Sequence, residues 1–301
     1  MLNGMRAFEK PGRWFKGNLH THTTVSDGPL SPEDTIARYR SIGHHFIAIT
    51  DHRKGARAFA RHDSDFLVLP GTELHPSVPW SSRSYHIVIP EVPTAFPVER
   101  MSNSLVETLH EITGRHIPFF IGHPYWCGHD VLELLPLAQF ALGLEVFNAT
   151  CTRIGRGFSP WHWDDLLARG FALSAIAVDD VHMENEFAIG WTMVRAPSLR
   201  RASIMTALTE GDFYASTGPV IEDFTFKKGV VSLRTSPVET ICLIAPDAQG
   251  CSVSATPGET VTELSWELPK GFGAYLRGEC WVGRQAAWTN PVFFKDGLPR
   301  P

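Results

Sequence analysis

The residues with obvious chemistry in this 301-residue chain are its histidines. There are 14, and many stand where a short apolar run begins or ends. His20 and His22 lie two apart at the end of the first such run. Strand side chains alternate, so both face the same way. Asp27 follows in the loop Ser26-Asp27-Gly28, and the second run ends Thr50-Asp51-His52. The third leads into Pro70-Gly71-Thr72-Glu73, His86 opens the fourth, and the fifth leads into Gly122-His123-Pro124. The seventh leads into Asp179-Asp180-Val181-His182, with Asp180 and His182 again two apart. Imidazole nitrogen and carboxylate oxygen suit zinc, manganese or iron. One His at a strand end is ordinarily a satisfied polar residue. Six such clusters at strand ends, in a chain without a CxxC pair, point to a metal site. Nine ligand-type residues exceed the needs of one or two four-coordinate ions and fit three, with a carboxylate bridging. Such a cup would be net positive, would attract a phosphoester anion, and would supply a metal-activated hydroxide as nucleophile near neutral pH.

These residues need a scaffold that brings strand ends together. The apolar runs Gly17–His20, Phe46–Thr50, Phe66–Pro70, His86–Pro90, Pro118–Gly122, Gly143–Phe147 and Leu173–Val178 read as buried parallel strands. Helices are expected after Ser31, where an N-cap precedes Pro32, Glu33 and Asp34, and over Leu105–Arg115, Trp161–Arg169 and Leu199–Glu210. Alternating strands and helices predict an α/β barrel, irregular between the runs near 68 and 88, where no helix intervenes. In such a barrel the C-terminal strand ends share one rim, which hosts the active site. The turn-rich stretch Gly211–Pro219 reads as a boundary. Beyond it only strands are expected: a hairpin about Lys228-Gly229, then Thr240–Ala245, Glu259–Glu267, Ala274–Val282 and Pro291–Phe294. This predicts a small antiparallel β domain over 219–301 after a barrel over 14–218. Its Trp266, Trp281 and Trp288 suit core packing better than a carbohydrate platform.

Composition sets limits. Hydrophobic residues make up 43% and charged residues 20%, a globular balance, and the formal net charge of -5 disfavours a nucleic-acid partner. No apolar run is long enough to span a membrane, and the first 17 residues lack the apolar core of a secretory signal. Five scattered cysteines suggest a reduced, cytoplasmic chain.

The series His20-Thr21-His22, Ser26-Asp27-Gly28, Ile49-Thr50-Asp51-His52, Gly71-Thr72-Glu73, His86, His123-Pro124 and Asp180-Val181-His182 resembles the polymerase and histidinol phosphatase (PHP) superfamily. The resemblance covers roughly residues 14 to 218 and implies a distorted (β/α)7 barrel with two or three divalent ions (Zn, Mn or Fe) at its rim. Leu144-Glu145-Val146-Phe147-Asn148, Trp163-Asp164-Asp165-Leu166-Leu167, Tyr214–Pro219 and Ala287-Trp288-Thr289-Asn290-Pro291 are similar to a branch of carbaryl-hydrolase-type metallohydrolases. Carried over by position, one ion falls to His20, His22, Glu73 and Asp180. A second shares Glu73 with His86 and His123, and a third takes Asp27, His52 and His182.

Arg53, Lys54, Arg153 and Arg156 are the candidate phosphate-binding cations. Arg153 is the preferred one, because it follows a barrel strand on the active rim. With Asp180 and His182 it completes the expected catalytic set. Asp51, Asp179 and Asn148 would either orient ligands or point into the barrel wall, and Tyr125 and Trp126 would wall the pocket or pack. His162 and Cys127 qualify as a general acid by type alone. The expected activity is metal-dependent hydrolysis of a small phosphoester. The alternatives are hydrolysis of a carboxyl or carbamate ester at the same site, or a non-catalytic binding module stabilised by its metals.

Overall fold

A computed structural model describes residues 3–299 as a mixed α/β fold with large sheets and seven α-helices. The strands Arg13–Asn18, Phe46–Ile49 and Leu67–Pro70 lie side by side and parallel, the second and third fully buried and the first burying Phe15 with Trp14 half-buried. The chain then crosses to a second sheet at Gly71, where a Cβ would stand 2.6 Å from the Ile89 carbonyl oxygen and 2.7 Å from Thr50 Cγ2. Only glycine passes there without displacing a strand. The second sheet runs Thr72–Leu74, Ile87–Ile89, Phe120–Ile121, Gly143–Asn148 and Ser174–Val178. Ile87–Ile89 is antiparallel to both neighbours, and the last three strands are parallel. The irregularity expected between 68 and 88 is this antiparallel pair, which needs no crossover helix.

All seven expected strands form, but over two ladders rather than one, and the expectation that they are all parallel fails at Ile87–Ile89. Polar contacts join the two sheets at both seams. On one side His52 bridges Glu73. On the other the Asp180 N–H donates to the His20 carbonyl, and Thr192 Oγ1 donates to the Ala177 carbonyl. The amide of buried Asn290 spans this second seam: its Oδ1 accepts from the Ala175 N–H, and its Nδ2 donates to the Gly211 and Phe213 carbonyls.

The expected helices form with small shifts, over Pro32–Ser41, Leu105–Gly114, Pro160–Ala168 and Arg201–Glu210. Ser31 Oγ accepts the Asp34 N–H, as its N-cap position predicts. A further helix, Val131–Ala138, starts in a capping box between Asp130 and Glu133 that the sequence reading passed over.

The stretch Gly211–Pro219, expected to be turn, is partly a strand. Phe213–Ser216 is a fully buried strand between Trp191–Ala196 and Gln285–Thr289. The first of these partners alternates buried and half-buried residues, a period of two also missed in the sequence. With neighbours on both edges, Phe213, Tyr214 and Ala215 bury as strand residues, and the breakers Gly218-Pro219 act only afterwards. Hydrogen bonding therefore continues from the N-terminal strands into the C-terminal ones. The hairpin at Lys228-Gly229 forms, both residues having positive φ. Trp288 is buried in the core, with Trp281 and Trp266 packed against core clusters, as expected of packing rather than a platform. Arg277, fully buried, pairs with Asp164 of the helix Pro160–Ala168 and with Glu279, and lies over the Trp163 ring.

Asn290→Ala removes three buried hydrogen bonds at the second seam and strands the Ala175 N–H. Urea denaturation should show a loss of about 2–3 kcal/mol with an unchanged slope against denaturant.

Candidate metal centre

The nine candidate ligands meet at one end of the two sheets. Two short pieces of loop chemistry put them there. Asp51 turns away from the cluster and accepts from Thr23 N–H (2.7 Å), Thr23 Oγ1 (2.8 Å) and Ser26 Oγ (2.7 Å), which pins the loop between His22 and Asp27. Asp179 likewise faces away. It accepts from the backbone of Ala188, Ile189 and Gly190 and from the Tyr39 hydroxyl, and burial pushes its pKa up to about 6. The strand Ser174–Val178 can then end in Asp180 at φ +54° and His123 in its own loop at φ +20°, both in the left-handed half of backbone space.

At the centre stand His20 Nε2, His22 Nε2, Glu73 Oε2 and Asp180 Oδ1. His20 Nε2 is 3.0 Å from His22 Nε2, 3.3 Å from Glu73 Oε2 and 3.2 Å from Asp180 Oδ1. His22 Nε2 is 3.3 Å from Glu73 Oε2 and 3.0 Å from Asp180 Oδ1. A tetrahedron of donors about 2.0–2.1 Å from a central ion has edges of about 3.3–3.4 Å. Both carboxylate oxygens are buried and lack a hydrogen-bond partner. A burial this complete without a partner is costly, and a cation among the four donors would remove the cost. These residues therefore fit a divalent ion.

The other candidates surround this core. Glu73 Oε1 is 2.6 Å from His86 Nδ1 and 3.4 Å from His123 Nε2. On the solvent side, Asp27 Oδ2 lies 3.2 Å from His52 Nε2 and 3.5 Å from His182 Nε2. A cavity of about 410 Å3 opens over these groups. Its walls include Trp126, Thr150, Cys151, Ile154 and the half-exposed Arg153. Arg153 Nη1 stands 3.6 Å from the buried Glu186. Of the other candidate cations, Arg53 bonds the Met101 carbonyl and Arg156 lies over the Tyr125 ring; neither they nor Lys54 line the cavity. Trp126 walls the pocket, whereas Tyr125 lies beside His162. His162 bonds the His129 carbonyl and Cys127 Sγ lies 3.5 Å from His123 Nδ1, so neither is placed as a general acid.

Three contributors escaped the sequence reading. Glu145, buried in its strand, takes the His20 Nδ1–H at 2.6 Å and the His123 backbone N–H at 2.9 Å. The bond leaves His20 Nε2 free to face the centre. The signal was a carboxylate inside an apolar run. Asn148, one of the undecided residues, turns toward the cluster and donates to Glu145 and to Asp180 Oδ2. Glu186 accepts from the His182 and Met183 backbone and from Thr150 Oγ1, tying two rim loops together. The third, His75, lies 3.2 Å from Glu73 Oε2.

Protons fill this cluster when metal does not. Burial would lower the His22 pKa, but the adjacent Asp180 and Glu73 carboxylates prevail and raise it to about 9. His20 is raised well above its ordinary value against the same burial penalty, chiefly by the charges of Asp180 and Glu73. Burial favours protonation of Asp180, yet His20 and His22 hold its pKa well below the carboxylate range. A His raised on folding stabilises the metal-free protein fully below its unfolded value of about 6.5 and ceases to do so as pH rises through its folded value. The metal-free protein should therefore lose melting temperature between pH 6.5 and 9. Zinc or manganese affinity should rise over that window, with proton release visible as buffer-dependent heats in calorimetric titration. Binding heats independent of the buffer would rule this out.

No family model matches the chain. It is 27% identical over 169 residues to the 5'-3' exoribonuclease Rnm of Salmonella typhimurium, a match covering 48% of this chain and 57% of that protein. The chain thus matches little more than half of that relative's length. An uncharacterized protein of Methanocaldococcus jannaschii is 23% identical over 199 residues, covering 57% of this chain and 85% of that one. With an exoribonuclease among its relatives, the expectation against a nucleic-acid partner is left unsupported. No helix among the described residues is long and apolar enough to cross a membrane. In fold the chain is similar to a solved two-domain protein of Bacteroides vulgatus containing a predicted PHP-like metal-dependent phosphoesterase, at a TM-score of 0.55, 15% identity and 94% coverage of both chains.

Proposed function

We propose that this chain is a PHP-type metal-dependent phosphoesterase acting on a small anionic phosphoester. In this reading residues 14–218 form the distorted (β/α)7 barrel that carries the site, and 219–301 the β region fused to it. The observation that carries the reading is the set of four buried donors, with His20 and His22 Nε2 3.0–3.3 Å from each other and from two unpartnered carboxylate oxygens, opening on a cavity edged by Arg153. His20, His22, Glu73 and Asp180 would hold one ion. Glu73 with His86 and His123 would hold a second, and Asp27, His52 and His182 a third. Bound there, divalent ions supply Lewis acidity and lower the pKa of water.

The chain's own residues do the rest. Glu145 holds His20 in one tautomer, and the Asp180 carbonyl, 2.7 Å from His182 Nδ1, does the same for His182. Arg153, steadied by Glu186, presents a guanidinium to a phosphate oxygen inside the cavity. Trp126 contributes an apolar surface to the cavity wall. The carbaryl-hydrolase-type branch, and with it carboxyl or carbamate ester hydrolysis, rests on the motifs about Glu145, Trp163 and Asn290. The exoribonuclease relative favours a second reading, in which the phosphoester is a terminal nucleotide linkage.

Nitrophenyl phosphate and nitrophenyl acetate, offered to manganese- or zinc-loaded enzyme, separate these bonds. Phosphate should be preferred, and both bound metal and turnover should fall away in His20→Ala and Asp180→Ala. Unchanged metal content in both variants would sink the assignment. Arg153→Ala should raise KM for anionic substrates about 10- to 100-fold, the worth of one charge-assisted hydrogen bond, and spare neutral esters. Stepwise shortening of an oligoribonucleotide from its 5' end, absent with nitrophenyl phosphate as competitor, would select the second reading.

A further inference from the structure

His75 is not accounted for by the donor sets above. It follows Glu73 by two residues, just past the strand Thr72–Leu74, so strand alternation sends both side chains the same way. Its Nε2 is 3.2 Å from Glu73 Oε2, and His52 Nδ1 is 2.8 Å from that same oxygen. The His52 and His75 rings lie 4.4 Å apart. All three of these atoms, His52 Nδ1, Glu73 Oε2 and His75 Nε2, are buried and have no hydrogen-bond partner. Two nitrogens and a carboxylate oxygen that converge without sharing a proton form a seat for a cation with mixed nitrogen and oxygen preference, such as Zn2+, Fe2+ or Mn2+.

His52 makes this seat conditional. Its other nitrogen, Nε2, faces Asp27 Oδ2 at 3.2 Å, beside His182. A neutral imidazole has one free lone pair, so His52 serves one side at a time. The outer side is at solvent, with the Asp27 side chain 51% exposed, while on the inner side Glu73 is buried and His75 is 23% exposed. We propose that one divalent ion has two alternative seats sharing His52, an outer one with Asp27 and His182 and an inner one with Glu73 and His75, and that His75 is the ligand defining the inner seat. The inference rests on the metal-dependent reading above and extends it to a residue outside the nine.

Sharing predicts non-additive ion counts. After zinc loading and desalting, Asp27→Asn and His75→Phe should each retain the wild-type number of zinc equivalents, because the ion moves to the seat that remains. The double variant should hold one equivalent fewer. A double variant with the wild-type count would overturn the inner seat. Loss of one equivalent in each single variant would overturn the sharing. Anomalous scattering at the zinc edge from crystals of loaded Asp27→Asn gives a decision that does not require the double variant to fold. Density about 2.0–2.1 Å from both His75 Nε2 and His52 Nδ1 supports the proposal, and zinc confined to other donors refutes it. Zinc absent from the wild-type protein altogether would instead overturn the metal-dependent reading, a separate and recognisable result.

Discussion

Glu73 is buried, lies where one sheet hands over to the other, and has six imidazoles within 3.4 Å of its two oxygens. A buried anion of this kind is tolerated only if positive charge is held around it. Burial alone would raise its pKa, and the neighbouring His20 charge holds it well below the usual range instead. Many features of the fold can be traced to supplying that charge at fixed distances. Gly71 lets the chain turn into the second sheet just before Glu73. Asp51 and Asp179 accept hydrogen bonds from the residues that follow His22 and His182, and so hold those loops in place. Glu145 orients His20 from behind. These contacts leave the inner oxygens of Glu73 and Asp180 without protons to accept, which is the arrangement a metal ion requires.

How much of this could be read in the residues depended on whether the signal was local. His20-x-His22 and Asp180-x-His182 were legible because paired ligand-type residues closely follow a short apolar run, although both pairs lie just past the strands Arg13–Asn18 and Ser174–Val178. The seven strands were legible because buried strands are short, apolar and bounded. Glu73-x-His75 has the same spacing and was passed over. Glu145 was hidden by its apolar neighbours, since sequence order says nothing about which ring faces a buried carboxylate. The strand Phe213–Ser216 was misread for a different reason. Gly211, Ser216, Gly218 and Pro219 are turn formers locally, but Trp191–Ala196 and Gln285–Thr289, distant in sequence, supply partners that override local preference.

The division of labour around the cavity follows charge. Arg53 and Arg156 are occupied with a carbonyl and an aromatic ring, while Arg153 reaches the cavity wall and meets only Glu186 at a distance. A guanidinium so placed is loosely tethered to the cavity wall. The aromatic Trp126 also lines the cavity, with its ring 5.2 Å from His123, so the opening offers both a cation and an apolar surface.

The Asn290 amide joins residues 115 positions apart, and Gln285–Thr289 completes the edge of Phe213–Ser216. Synthesis proceeds from the N-terminus, so His20, His22, His52 and Glu73 emerge long before the segment that fastens Ser174–Val178, and hence Asp180, beside them. On the ribosome the early ligands must wait as an open, incomplete set. Completion of this cluster is thereby coupled to the C-terminal strands, and an ion meeting the early residues alone would find only part of the donor set.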